Sequence, residues 1–187
     1  QPRIFGDYAP IKRDYPIDEY LTDIAGTGIV ASVYVQTNWP PGGALAEVEW
    51  VDAEASRTGW PQAIVGYADF LDDEVGTLLA AQARFPRVRG IRQQIHWHEK
   101  MLYRFADRPD IADDPRFRRN LARLADHGWL FELQIFAPQM ASGARLAAAL
   151  PDITFVLEHA GMLEDLSDAG KARWRDGMRR LADCPNV

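Results

Sequence analysis

The amino-acid sequence predicts an α/β fold with a parallel sheet, because short apolar runs alternate with amphipathic segments along its 187 residues. Five apolar runs are typical of strands: residues 29–36, 63–69, 88–94, 129–136 and 153–159. Six segments around them are typical of helices: residues 17–25, 44–57, 72–84, 115–127, 141–150 and 169–183. No repeat, low-complexity tract or linker interrupts the pattern, so we expect one continuous domain over residues 1–187.

Proline, glycine and aspartate residues mark the ends of the helical segments. Pro16 precedes the first segment and Gly26 follows it. Asp114 is in position to cap the fourth helix, which has Pro115 in its first turn and Gly128 after its last residue. These residue types favour helix boundaries, so the sequence predicts where these helices begin and end.

The spacing of the strands distinguishes two architectures. A closed barrel of about 250 residues has eight βα units of about 31 residues each. The intervals between the predicted strand starts scatter around that length, and an insertion at residues 96–113 lengthens one of them. The sequence therefore favours an incomplete (β/α)8 barrel. A flavodoxin-like sheet, which five strands would nearly complete, remains the alternative, whereas a Rossmann sheet lacks its G-x-G-x-x-G motif.

Composition and chain ends narrow the class of protein. A net charge of −6 disfavours nucleic acid as a partner. The single cysteine, Cys184, cannot form an internal disulfide, and no apolar run is long enough for a membrane span. With no signal peptide at its start, we expect a cytoplasmic protein without a membrane partner. The chain opens with Gln1 and stops at Val187, where a further apolar strand is expected, so it is predicted to be part of a longer protein.

Each predicted strand ends in a polar or ionisable residue on one of its faces. The residues expected on that face are Ser32, Tyr34 and Gln36; Tyr67 and Asp69; Arg92 and Gln94; Glu132 and Gln134; and Phe155, Leu157 and His159. Burying such groups without partners costs roughly 1–3 kcal/mol each, unless they line one wet cavity. Ligands of α/β folds bind at the carboxyl ends of strands, so we expect a small-molecule site there. The alternative is that individual strands simply end in solvent.

Six sequence blocks together resemble the amidohydrolase-related family of TIM-barrel hydrolases, which includes sugar-lactone and pyrone-dicarboxylate lactonases. The blocks are VYVQTNW (33–39), EVEW (47–50), AIVGYADF (63–70), GIRQQIHWH (90–98), FELQIFAPQM (131–140) and FVLEHAGM (155–162). They follow the family's order over nearly the whole chain. The resemblance implies a (β/α)8 barrel, of which this chain supplies approximately strands two to six with their helices.

The resemblance also bears on a metal. Similar proteins have an H-x-H pair after the first strand, a histidine after the sixth and an aspartate after the eighth. His159 matches the sixth-strand histidine, whereas the first pair and the aspartate match nothing here. His96 and His98 form a different H-x-H, after the fourth strand, and Gln134 stands where many amidohydrolases have a fifth-strand histidine. The resemblance thus implies that the full-length protein binds either one divalent metal ion, with zinc as the expected identity, or no metal.

Seven residues are predicted to form the site. His159 is the predicted catalytic residue and metal ligand, with a hydrogen-bonded core histidine as the alternative. Arg92 is predicted to hold the carboxylate of an anionic substrate, because a guanidinium binds carboxylates in a bidentate manner. Its alternative is an ion pair with Asp69 or Glu132. The predicted substrate contacts are Gln36, Asp69, Gln134, His96 and His98.

Other polar residues are expected to be structural. We expect Glu47 on a solvated helix face, with a position facing the cavity as the alternative. We expect His127 at a helix C-terminus, where the helix dipole favours a cation. Cys184 has no paired histidine and is not expected to act as a nucleophile.

The resemblance implies hydrolysis of a lactone or related ester from sugar-acid or aromatic-acid metabolism, assisted by metal in the full-length protein. Two alternatives stay open: a metal-dependent non-oxidative decarboxylase of the same superfamily, and a barrel that binds a small molecule without catalysis. Because only His159 maps to a ligand position, we expect this chain by itself to be inactive.

Overall fold

The computed structural model describes residues 6–40 and 42–187, and these residues form one five-stranded parallel sheet. The strands are β1 (Val33–Val35), β2 (Ala63–Gly66), β3 (Val88–Arg92), β4 (Leu130–Leu133) and β5 (Phe155–Leu157). Hydrogen bonds join them in the order β1-β2-β3-β4-β5. A doubly wound sheet places its first strand between later ones, so this order excludes the flavodoxin-like alternative and confirms the barrel prediction.

Helices alternate with the strands as predicted. They are α1 (Ile17–Ile24), α2 (Ala44–Thr58), α3 (Val75–Gln82), α4 (Pro115–Leu121), α5 (Met140–Ala149) and α6 (Asp168–Ala182). Asp114 caps α4 by accepting hydrogen bonds from the backbone N–H groups of Arg116 and Phe117 at 2.7 and 3.3 Å. The chain continues as a 3-10 helix over Ala122–His127 and leaves it at Gly128, whose φ is 62°. The predicted cap and stop residues of this helix are therefore confirmed.

One face of the sheet is buried beneath the helices. Phe131 pairs in register with Ile91 and Phe155, so these three side chains share the helix-facing side. The Phe131 ring meets those of Phe70, Phe117 and Phe155 edge to face, with centroids 5.8 to 6.0 Å apart. Burying an aromatic side chain of this kind stabilises the fold by roughly 1.5–3 kcal/mol. Because this aromatic cluster holds one face of the sheet against the helices, the side chains of the other face point away from them.

We call the opposite side the inner face; it carries Val35, Val65, Gly90, Arg92 and Glu132. In a barrel this face surrounds the axis. Arg92 and Glu132 pair directly in register, as the alternation predicted. The polar ends of the strands on this face are therefore available to form a common site.

Two predictions of side-chain direction were wrong. Tyr34 pairs with Ile64 on the helix-facing side, and its hydroxyl donates to Glu47 of α2 at 2.8 Å. Phe155 pairs with Phe131, so Phe155 and Leu157 also face the helices. The predicted strands were also too long: the fifth ends at Leu157 rather than at residue 159. The apolar runs extend into loops whose backbone no longer alternates, and parity counted from their ends is therefore shifted by one residue.

Among the residues that the structure describes, none of the helices has the length and apolar character of a membrane span.

Candidate active site

The inner-face ends of β3, β4 and β5 bring a guanidinium and two carboxyl groups together. Arg92 donates to both carboxylate oxygens of Glu158, at 2.9 and 3.2 Å, and to the backbone carbonyl of Gln36. The side chains of Arg92 and Glu158 are only 12% and 11% exposed, so this ion pair is buried. The structural alternative for Arg92 was an ion pair with Asp69 or Glu132; the structure has an ion pair, but with Glu158. Glu158 replaces them because it, and not His159, continues the inner face of β5.

Glu132 lies beside this ion pair and lacks a cation of its own. Burial raises the pKa of Glu132 to about 8, and the neighbouring Glu158 carboxylate contributes to the same shift through a hydrogen bond and charge repulsion. Arg92 acts in the opposite direction, but its charge is already compensated by Glu158. Glu132 Oε2 has no hydrogen-bond partner among the described residues. A proton on Glu132 removes the repulsion and makes this carboxyl a donor at neutral pH.

His96 is a buried, neutral imidazole near the same cluster. Its ring lies between those of Phe105 and Phe136, with centroid distances of 5.5 and 5.6 Å. Burial lowers the pKa of His96 to about 4; Glu158 raises it, while His159 and Arg92 lower it further. Within the described residues, the buried Nδ1 of His96 has no hydrogen-bond partner. His96 is therefore uncharged at pH 7.

His98 faces a different surface from His96. Its ring contacts Tyr103 and Phe136 at 5.1 and 5.5 Å, and its Nδ1 accepts the backbone N–H of Lys100 at 2.9 Å. It lines a broad groove together with Trp97. Phe136 contacts both histidine rings, but of the two only His98 lines this groove.

His159 lies on a strained turn directly after β5. Both His159 and Ala160 have a φ of 49°, a conformation that costs about 1 kcal/mol or more in non-glycine residues. Trp174 fixes the turn by donating from Nε1 to the Ala160 carbonyl at 2.7 Å. The His159 side chain is 60% exposed, and its Nε2 is 3.8 Å from Glu158 Oε2. His159 is thus brought to the rim of the Arg92–Glu158 cluster, on the solvent side.

The two predicted glutamines are buried at the strand ends. Gln36 is fully buried, and its Oε1 accepts the backbone N–H of Asn38 at 2.7 Å. Gln134 donates from Nε2 to the sulfur of Met162 at 3.7 Å. Each amide keeps one buried atom without a partner in the described part of the chain, Nε2 of Gln36 and Oε1 of Gln134.

A cleft of about 540 Å³ opens at the carboxyl ends of β1 and β2. Asp69 lines it, and the Asp69 Oδ1 accepts from the backbone N–H of Leu71 at 2.9 Å and from Gln93 Nε2 at 2.8 Å. Glu47 also lines it, although the sequence predicted a solvated position for this residue. Glu47 is only 2% exposed, because its Oε1 accepts from Tyr34, from the Thr37 backbone and from the Thr37 hydroxyl. This contact is tertiary, and the helical pattern of α2 gives no sign of it.

The strand ends share an unusual density of buried polar atoms without partners in the described chain. These atoms are Gln36 Nε2, Arg92 Nε, Gln94 Oε1, His96 Nδ1, Glu132 Oε2 and Gln134 Oε1. Leaving one such atom unsatisfied costs roughly 1–3 kcal/mol, so a group of them is typical of a ligand site rather than of a core.

The described residues do not fit a complete metal site. Among them, no group of three or more His, Cys, Asp or Glu side chains is arranged to hold a metal ion. A catalytic zinc site uses three protein ligands and one open position. No chemical step is therefore assigned to a metal, and the role of His159 as a ligand stays a prediction.

Comparison with known proteins settles the family. Residues 1–187 match the family model described as Amidohydrolase. The chain belongs to the amidohydrolase family. A relative described as uncharacterized protein y4mH, of Sinorhizobium fredii, is 33% identical over 187 residues, which are all of this chain and 63% of that protein. An L-fucono-1,5-lactonase of Burkholderia ambifaria is 28% identical over 177 residues, which are 95% of this chain and 57% of the lactonase. The amidohydrolase chain thus spans about three fifths of the length of these relatives.

Solved structures of the family share the fold. A Burkholderia multivorans amidohydrolase with bound zinc superposes with a TM-score of 0.77 at 25% identity, over 95% of this chain and 59% of that one. A probable 2-pyrone-4,6-dicarboxylic acid hydrolase of Acinetobacter baumannii, with citric acid bound, gives a TM-score of 0.58 at 12% identity over 93% and 59%. The second likeness concerns the fold alone.

Proposed function

We propose that the protein containing this chain hydrolyses a lactone or a similar cyclic ester. The observation that carries the proposal is the group of buried, unpartnered polar atoms at the carboxyl ends of the strands, with Arg92, Glu132 and Glu158 at its centre. A similar protein is an L-fucono-1,5-lactonase, which supports a lactone as the substrate.

Hydrolysis of a lactone adds water to the carbonyl carbon and breaks the ring C–O bond, so negative charge develops on oxygen. Donors already oriented in a buried site stabilise that charge without reorganising. In the proposal Arg92 and protonated Glu132 are these donors, and Glu158 holds the guanidinium of Arg92 in place. The predicted role of Arg92 was to clamp a substrate carboxylate with two N–H groups. Glu158 and the Gln36 carbonyl already accept from its Nη1 and Nη2, so the proposed donor is the Nε of Arg92, which has no partner in the described chain.

His159 is proposed to contact the reacting water or carbonyl oxygen from the rim of the site. The Nε2 of His159 is 3.8 Å from Glu158 Oε2, which places the imidazole next to the Arg92–Glu158 pair. Gln36, Gln134 and His96 are proposed to position the substrate through their free polar atoms. Zinc remains a prediction for the full-length protein, and the chain by itself is proposed to be inactive.

Product analysis tests the proposal. The full-length protein is incubated with aldono-1,5-lactones and with lactones of aromatic acids, and ring-opened acid and carbon dioxide are measured separately. We expect ring-opened acid without carbon dioxide. Release of carbon dioxide would instead identify the decarboxylase, and binding of a lactone without either product would identify a non-catalytic barrel.

A further inference from the structure

The cleft beside the Arg92–Glu158 pair has walls from three successive loops. Trp39 follows β1, Tyr67 and Asp69 follow β2, and Phe105 comes from the long connection after β3. Its volume of about 540 Å³ lies within the range of roughly 300–1,000 Å³ that is usual for small-molecule pockets. The Phe105 ring also contacts the His96 ring, with centroids 5.5 Å apart, so this wall of the cleft packs against a residue of the strand-end cluster.

The charges that line this cleft are all of one sign. Glu47, Asp69, Asp72 and Glu74 line it, and no lysine or arginine does so among the described residues. A substrate carboxylate placed here would be repelled by these groups at short range. Arg92 does not offset the repulsion, because its guanidinium is already bonded to Glu158. An anionic substrate, as expected from the sequence, does not suit this cleft.

The remaining features of the cleft suit a ring that carries hydroxyl groups. Phe105 is 43% exposed although it lies at the cleft wall, and Trp39 is similarly exposed. Aromatic faces pack against the C–H faces of such a ring. In the described chain, Asp69 Oδ2 and the Tyr67 hydroxyl have no hydrogen-bond partner, so both are available to substrate hydroxyls.

Both walls are held in position by their own backbone contacts. Asp69 Oδ1 accepts two hydrogen bonds, from the Leu71 N–H and from Gln93 Nε2, and these hold the carboxylate in place. The N–H groups of Phe105 and Ala106 donate to the His96 carbonyl at 3.1 and 3.0 Å and close the connection at its base. Preorganised side chains lose less conformational entropy on binding.

We propose that this cleft binds the hydroxyl-bearing part of an uncharged, polyhydroxylated lactone, and that Phe105 and Asp69 determine this specificity. The identity of the reacting group rests on the proposed function, whereas the charge and hydroxyl selection rest on the cleft alone. The aromatic ring of Phe105 covers the apolar face of the substrate, and Asp69 accepts from its hydroxyls and rejects a carboxylate at the same position.

Binding of two matched, non-hydrolysable ligands to the full-length protein tests this assignment. They are a hexono-1,5-lactam and the same lactam with its 6-hydroxymethyl group oxidised to a carboxylate, measured by isothermal titration calorimetry. We expect the uncharged lactam to bind at least about tenfold more tightly than the carboxylate. Equal or tighter binding of the carboxylate overturns the proposal.

Variants at the two walls separate this site from the chemistry. Phe105→Ala is expected to weaken lactam binding roughly tenfold, and Phe105→Tyr to preserve it. Leu102→Ala is the control, because Leu102 is 48% exposed on the same connection but does not line the cleft. Asp69→Asn is expected to reduce the ratio of the affinity for the uncharged lactam to the affinity for the carboxylate. Unchanged lactam binding in Phe105→Ala overturns the proposal.

The outcome can be told apart from failure of the proposed function. Lactam binding that follows these expectations, in a protein that opens no lactone ring, rejects the proposed reaction and supports the cleft. Conversely, lactone turnover whose KM is unchanged in Phe105→Ala supports the proposed reaction and rejects the assignment of the cleft.

Discussion

Arg92 on β3 and Glu158 after β5 are 66 residues apart in the chain, yet they form an ion pair of 2.9 Å across the inner face of the sheet. The strand between them is β4, and its Glu132 lies under the pair. Three ionisable groups therefore share one buried position with a single positive charge. Their protonation states depend on one another, so a substitution at one group is expected to change the pKa of another.

Glu158→Gln is expected to lower the pKa of Glu132. The substitution removes the adjacent carboxylate, which raises this pKa, and frees Arg92 to interact with Glu132. Carbon-13 NMR titration of the labelled glutamate carboxyls measures the effect. Asp165→Asn, which removes an exposed carboxylate paired with Arg173, is the control and is expected to leave the titration of Glu132 unchanged. An unaltered Glu132 titration in Glu158→Gln contradicts the coupling.

Glu132 is expected to make the chain less stable in alkaline solution. Its folded-state pKa of about 8 lies above the unfolded value of 4.5, so the folded state holds a proton that the unfolded state releases. The stabilisation is complete below pH 4.5 and is lost as the pH rises through 8, by on the order of 5 kcal/mol. Urea unfolding between pH 5 and pH 9 measures the loss, and Glu132→Gln is expected to flatten it. Parallel curves for the variant and the parent chain would refute the assignment.

His96 is expected to have the opposite effect on stability in acid. Its folded-state pKa of about 4 lies below the unfolded value of 6.5, so the unfolded state binds the extra proton. The stabilisation is complete above pH 6.5 and is lost as the pH falls through 4, by on the order of 3 kcal/mol. His96→Phe keeps an aromatic ring between Phe105 and Phe136 but cannot titrate. The same unfolding experiment between pH 4 and pH 7 should show a flatter profile for this variant, and an equally steep one contradicts it.

The sequence predicted the strand order and the cap and stop residues of the fourth helix, whereas the third helix is Val75–Gln82 rather than the predicted 72–84. Asp114 and Gly128 act within one helix, and the spacing of apolar runs is sufficient to favour a barrel. The alternation also placed Arg92 and Glu132 correctly, since both lie inside regular strands.

The parts of the site that were missed depend on a shift of one residue or on distant contacts. Glu158, and not His159, ends the inner face of β5, and the apolar pair Phe155 and Leu157 was the signal for the opposite parity. Tyr34 faces the helices because Glu47 accepts its hydroxyl, a contact between residues that no local pattern reveals. Phe105 lies in a connection without periodicity, so its position at the cleft could not be predicted.

The catalytic role of the Arg92 cluster is tested most directly by the kcat/KM for lactone opening in two matched arginine variants of the full-length protein. Arg92→Gln removes the guanidinium from the inner face, whereas Arg87→Gln removes one that pairs with Asp52 at 2.7 Å before the amino end of β3. Thermal unfolding of both variants establishes that each remains folded. The account predicts a loss of about 100-fold or more for Arg92→Gln, in line with the removal of an oriented donor, and a change below about threefold for Arg87→Gln. Equal kcat/KM values for the two folded variants would contradict it.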